Sequence, residues 1–459
     1  MLGYAIVGIA LCIFVQARNV YPQLLLARMF FSIGGAATST MVTAVLPSMI
    51  TSRREADSRV GITEPPNNGH AVSPSISSEL TITQQRHQHS ISSTSVSPED
   101  TQHNASPMRL AGFVGLFTGC GALVALLLFF PLPAFFRSHG ADSGPAVAYS
   151  FYLVGVVAMM VSIFCLFGLR GIKDERITKW ETGAKSGISR ESLLSSLRLL
   201  LDAILLGFTS SSLALAYLGG FVARASSVGI SLFIPLYVNA YFLSSGLCRE
   251  SADTPEAVKE QCRRAYILAA ELTGISQLVA LLFAPVFGYL AEKFPKFNSP
   301  LLVAALAGIL GYSGLATLKS PETHGDGSPI VFAIMCVLGI SQIGAIVCSL
   351  GLLGRCILEG QGAHPPSPAD ASAENATETS GLLEGAPALK QRYAYPKGSI
   401  AGVYSLAGGA GILLLTKLGG YWFDTISPSA PFVMLSAFNG ILLLFGLGCG
   451  LSEALSSGR

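Results

Sequence analysis

PQLLLARMFFSIGGAATSTMVTAVLPSMI, residues Pro22–Ile50, decides how the rest of this chain is read. A single formal charge, Arg28, interrupts it. As a helix it is about 43 Å long, whereas a hydrocarbon core of about 30 Å needs only about 20 apolar residues. The stretch is therefore a transmembrane helix with a cation inside it, followed by a run of small residues from Gly34 to Ala37. Small residues let helices approach closely in lipid, and an intramembrane charge usually marks function.

Composition carries the same reading to the whole chain. Of 459 residues, 12% are charged, about half the usual share, and mean hydropathy is +0.55. The 49 glycines fall largely inside apolar runs. A net charge of +2 gives no basic face that argues for nucleic acid. The fold class is an all-α polytopic membrane protein in a lipid bilayer. No P-loop signature occurs, and every histidine lies in a polar segment, so neither ATP-driven transport nor an intramembrane metal or nucleophile–base site is indicated. The expectation is no enzyme and no cofactor.

Apolar runs predict about ten spans. Four precede a polar connection: Leu2–Val15, Pro22–Ile50, Arg109–Phe136 and Ala146–Leu169. Six follow it: Leu213–Phe242, Tyr266–Ala291, Pro300–Leu318, Ile330–Ile357, Ser399–Phe423 and Pro431–Leu451. The domains are thus a first half (1–170), a linker (171–212) and a second half (213–459). Within the linker, Ser189–Phe208 repeats leucines at helical spacing opposite Arg190, Glu191 and Arg198, the pattern of a helix lying in the interface. Residues 51–108 and 358–397 are too polar to bury a core and predict disordered loops.

Most Lys and Arg fall in segments that become cytosolic when both termini are placed there. That orientation puts Cys248 and Cys262 in one outer loop, where a disulfide can persist. The sequons at Asn104 and Asn375 then face the cytosol and are not expected to carry glycans.

The motifs resemble the major facilitator superfamily of secondary transporters. LLLARMFFSIGGAA is similar to that family's fourth-helix motif through Arg28 and Gly34, with Phe31 and Ser32 in place of its glutamine and first glycine. The glycines of Arg109–Ala122 are similar to the fifth-helix pattern without its proline. Gly288 to Lys293 looks like the second-half loop motif, and Gly402–Asp424 like the eleventh helix. The resemblance implies two helical halves, each of six helices, alternating access around a midplane site. Its register puts Leu2–Val15 on the third helix, so counterparts of helices one and two are not in this sequence. An incomplete sequence or a shortened variant is implied, and residues 1–459 alone are not expected to transport.

The candidate transport and coupling residues are the charged groups inside spans: Arg28, Arg224, Glu271 and Lys417. Arg28 also fits snorkelling to the interface, Arg224 an anchor at a cytosolic helix end. Glu271 and Lys417 share the outer leaflet and are able to pair. Tyr237, Asn239, Gln277, Gln342 and Tyr404 are neutral candidates for lining a cavity, or else hydrogen bonds between helices. The expected function is secondary transport of a small solute, coupled to protons. The alternative is a non-transporting receptor or scaffold, or an inactive truncated product.

Overall fold

A computed structural model describes residues 2–60, 107–129, 131–140, 142–168, 190–246, 255–294, 298–318, 320–322, 328–359 and 397–457. Regular structure among the described residues is helical throughout. In the first half these are α1 (Leu2–Gln16), α2 (Leu25–Val60), α3 (Pro107–Val124), α4 (Leu132–Ser138) and α5 (Ser143–Gly168). The amphipathic helix α6 (Arg190–Thr209) leads to the second half: α7 (Ser211–Val228), α8 (Ile234–Ser244), α9 (Pro255–Lys293), α10 (Ser299–Thr317), α11 (Ile330–Glu359), α12 (Lys397–Leu414), α13 (Gly420–Thr425) and α14 (Ala430–Ser457).

Nine runs among the described residues are long and apolar enough to cross a membrane, which makes this an integral multi-pass membrane protein. The tenth expected span, α1, has 15 residues. At ~1.5 Å per residue it measures about 22 Å, short of a full crossing. Helix α6 is not among the nine, and its bounds, Arg190–Thr209, lie within one residue of the expected amphipathic stretch Ser189–Phe208. Ala203 is fully buried against its neighbours, while Leu194, Leu201, Leu205 and Phe208 stay exposed on its apolar side. Ser210, extended at φ −107° and ψ 110°, separates α6 from α7.

Three expected spans are interrupted rather than continuous. The run Leu213–Phe242 becomes α7, a π-helical turn at Gly229–Phe233, and α8. Pro235 explains it: the ring has no N–H and clashes with the carbonyl four residues back, which lies inside that turn. A π turn at Ala125–Phe129 likewise ends α3 just before Pro131 and Pro133. A third, Leu415–Gly419, joins α12 to α13 with no proline nearby. Helix α2 runs on past the expected end at Ile50 to Val60, and α9 begins at Pro255 rather than Tyr266. The expected disordered loops and the Cys248–Cys262 bridge otherwise lie outside the described residues and side chains.

The core belongs to the second half. Its spans bury 33–56% of their central windows, whereas Tyr21–Ala44, Pro107–Ser138 and Gly144–Gly168 bury 6–12%. Two apolar clusters fill it. One centres on Leu215, Phe287, Leu301 and Leu352, the other on Phe233, Tyr312, Met335 and Phe432. Between them, along α7, α9, α11 and α14, the sequence turns polar.

The pairing of helices repeats. In the second half α10 lies against α11 and α14; in the first, α1 lies against α2 and α5. The neighbours of α1 in the first half thus match those of α10 in the second. The halves meet mainly where α3 crosses α9, and α3 also touches α11. Glycine permits that crossing. A Cβ on Gly112 would stand 3.0 Å from Gly288 Cα, and one on Gly119 3.1 Å from Leu281 Cα. Backbone cannot step aside as a side chain can, so added carbon here forces the helices apart. Gly112→Ala is expected to destabilise the protein by about 1–3 kcal/mol in thermal unfolding. Gly121→Ala, on the same helix with nothing within 4 Å, is expected to be neutral or stabilising.

Candidate functional site

The polar interval between the two apolar clusters is built from three dipeptides. Ser226-Ser227 lies on α7, Ser276-Gln277 on α9 and Ser341-Gln342 on α11. Ser227, Gln277 and Gln342 each sit near the middle of their spans, Ser211–Ser244, Arg264–Lys293 and Ile330–Leu358. Their side chains form a hydrogen-bonded chain across the three helices. Gln277 Nε2 donates to Gln342 Oε1 at 3.5 Å, and Gln342 Nε2 donates to Ser227 Oγ at 3.3 Å. Ser227 Oγ in turn donates to the Ala223 carbonyl at 3.0 Å. Gln342 is buried, whereas Ser227 and Gln277 are half-buried and retain unused hydrogen-bonding positions.

The serine preceding each of these residues is buried, and its hydroxyl has no partner: Ser226, Ser276 and Ser341. Asn439 on α14 joins them at the same level, its Nδ2 donating to the Leu435 carbonyl at 2.9 Å and its Oδ1 unmatched. Such groups are rare in native interiors because an unmatched polar atom costs about 1–3 kcal/mol. A layer of them at mid-depth, flanked on both sides by apolar core, sets these helices apart among the described residues.

The other sequence candidates divide. Tyr404 is buried, with its hydroxyl 3.0 Å from Ser349 Oγ and its ring against Gly220, where a Cβ would lie 2.5 Å from Tyr404 Cε2. Tyr237 donates to the Leu318 carbonyl at 2.9 Å and meets Phe432 edge-to-face, so its polar atom is engaged in joining helices. Asn239 is exposed on α8. Arg28 is exposed on α2, its guanidinium 5.9 Å from the Phe31 ring, with Ser32 donating to its carbonyl. Arg224 is exposed one turn before Ser227, its shaft against α12: a Cβ on Gly408 would stand 2.7 Å from Arg224 Cγ. Glu271 and Lys417 are both exposed, and the pair between them that the sequence allows is not made.

The ion pair seen among the described residues is one that sequence reading did not anticipate. Arg109 Nε on α3 donates to Glu292 Oε2 on α9, one turn beyond the Gly112–Gly288 contact. The pairing of Gln277 with Gln342 was also unanticipated, although the sequence carries a signal for it. Gly-Ile-Ser-Gln occurs twice, at 274–277 and 339–342, and these two copies lie side by side. Gly339 is the point of closest approach, since a Cβ there would strike the Ser276 carbonyl oxygen. No protein-family model matches the chain, and no curated protein matches it in sequence.

A double-mutant cycle with Gln277→Leu and Gln342→Leu, read by unfolding in mixed micelles, is expected to return a coupling of about 0.6 kcal/mol. Gly339→Ala, by parting α9 from α11, is expected to abolish it. A coupling of zero in the parent protein contradicts the geometry described.

Proposed function

We propose that the chain is a secondary transporter of a small solute, built like a member of the major facilitator superfamily, with its solute site at the Ser227–Gln277–Gln342 layer. The observation that carries this reading is the polar chain itself, held at mid-depth between two apolar clusters in three adjacent spans. Interhelical hydrogen bonds account for the amides, but not for the unmatched hydroxyls beside them, which cost stability. A solute that exchanges hydrogen bonds with them at the centre of the bilayer accounts for those.

Two further observations support it. The repeated neighbours of α1 and α10 are what two similar halves give, and the glycine-lined α3–α9 crossing joins those halves along one line. With the C-terminus cytosolic, Arg109–Glu292 lies at the cytosolic end of that crossing. Breaking the pair and sliding α3 along α9 then opens the cytosolic side. Surface-level ion pairs are worth little, about 1 kcal/mol or less, so such a latch is readily released. In this reading Glu271, an acid inside its span and free of an ion pair, carries the coupling proton.

All three polar residues lie in the second half, so solute binding by the full chain is the primary readout; flux into proteoliposomes, which the family register does not lead one to expect of residues 1–459 alone, is the second. Gln342→Leu is expected to weaken binding about tenfold, the loss of roughly 1.4 kcal/mol of hydrogen bonding. Glu271→Gln is expected to abolish proton-driven accumulation while leaving solute exchange intact. Binding unchanged in Gln342→Leu contradicts the site, and gradient-driven uptake unchanged in Glu271→Gln contradicts the coupling.

A further inference from the structure

We infer that the solute is an oxyanion, a carboxylate or phosphate whose negative head meets Arg224 and whose body hydrogen-bonds Ser227 and Gln342. This deepens the carrier reading above and rests on it for the use of the site.

The argument is one of charge. Away from their ends, the described spans hold three cations, Arg28, Arg224 and Lys417, against one acid, Glu271. Arg28 is about 10 Å from the start of its span at Tyr21, and Lys417 about 12 Å from the end of its own at Thr425, by helical rise. Long basic side chains at that depth bring their heads to the interface. Arg224 is different. It lies about 5 Å from the middle of Ser211–Ser244. No acid among the described residues pairs with it, and its side chain is exposed rather than packed away.

The surroundings keep that charge available. Gly408 lets α12 come against the arginine shaft, which fixes the side chain without neutralising its head. The polar neighbours one turn on, Ser227 and Gln342, are uncharged and supply no counter-ion. A cation at that depth is costly unless something of opposite sign accompanies it. A guanidinium presents a planar fork of N–H donors that matches carboxylate and phosphate oxygens two at a time. The missing partner is therefore part of the cargo.

The test uses the purified full chain and a polar small-molecule extract split by ion exchange into anionic, neutral and cationic fractions. Thermal stability is measured with each fraction, and the anionic one is assayed before and after phosphatase treatment. Only the anionic fraction is expected to stabilise the protein, and Arg224→Gln is expected to lose the effect. Loss of the shift on phosphatase treatment assigns a phosphate; its survival assigns a carboxylate. Stabilisation by the neutral or cationic fraction, by none, or by the anionic fraction equally in Arg224→Gln overturns the inference. Should Arg224→Gln not fold, Arg224→Lys answers instead. It keeps the charge without the fork, so the apparent affinity is expected to drop about tenfold, and an unchanged affinity overturns the inference. Uptake of a neutral solute into proteoliposomes leaves the carrier reading standing and removes the anion. Arg224-dependent anion binding without any flux does the reverse.

Discussion

A glutamine amide buried near the middle of a membrane span has two N–H donors and two oxygen lone pairs to fill from its neighbours. Gln342 meets that constraint by donating to Ser227 and accepting from Gln277, so three helices are tied together at one depth. The rest of the second half is arranged around this tie. Above and below it the helices interlock through apolar side chains, and at its own level Gly339 brings α9 and α11 close enough for the amides to meet. A side chain at Gly339 would move the two helices apart and break the bond between the glutamines, leaving Gln342 with Ser227 alone.

The contact between the halves works by a different rule. Lipid offers no hydrophobic drive for helices to associate, so van der Waals contact between bare backbones must supply it. Gly112 against Gly288 and Gly119 against Leu281 provide that contact in a straight line along α3 and α9. A seam of glycines is also smooth. Packing within the second half and contact across the α3–α9 seam thus come from two kinds of residue, amides and large apolar groups in one place, glycines in the other.

Much of this was legible in the sequence, because a membrane leaves few choices. Runs of apolar residues gave the spans, and leucine spacing opposite Arg190 and Arg198 gave α6. Polar residues inside spans gave Gln277, Gln342 and Arg224 as candidates by their cost alone. What escaped was pairing between distant segments. Periodicity within one helix says nothing of the neighbour it faces, so Arg109–Glu292, 183 residues apart, was not foreseen, and Glu271 and Lys417 matched in depth yet do not meet. Tyr237 looked like a cavity group by type, but the Leu318 carbonyl uses its hydroxyl. The interrupted helices at Pro131 and Pro235 were readable from the prolines themselves.

The claim that this polar layer lines a solute path is tested most directly by water access. In a full chain with its native cysteines replaced, Ser226→Cys and Ser227→Cys are each exposed to a charged, membrane-impermeant thiol reagent. Ser227 is half-buried on the polar face and Ser226 is fully enclosed one residue away, so the pair differs in little but direction. The account predicts rapid modification of Ser227→Cys, slowed by bound solute, with Ser226→Cys left unreacted. Failure of both to react, or equal reaction of both, contradicts a solute path at this layer.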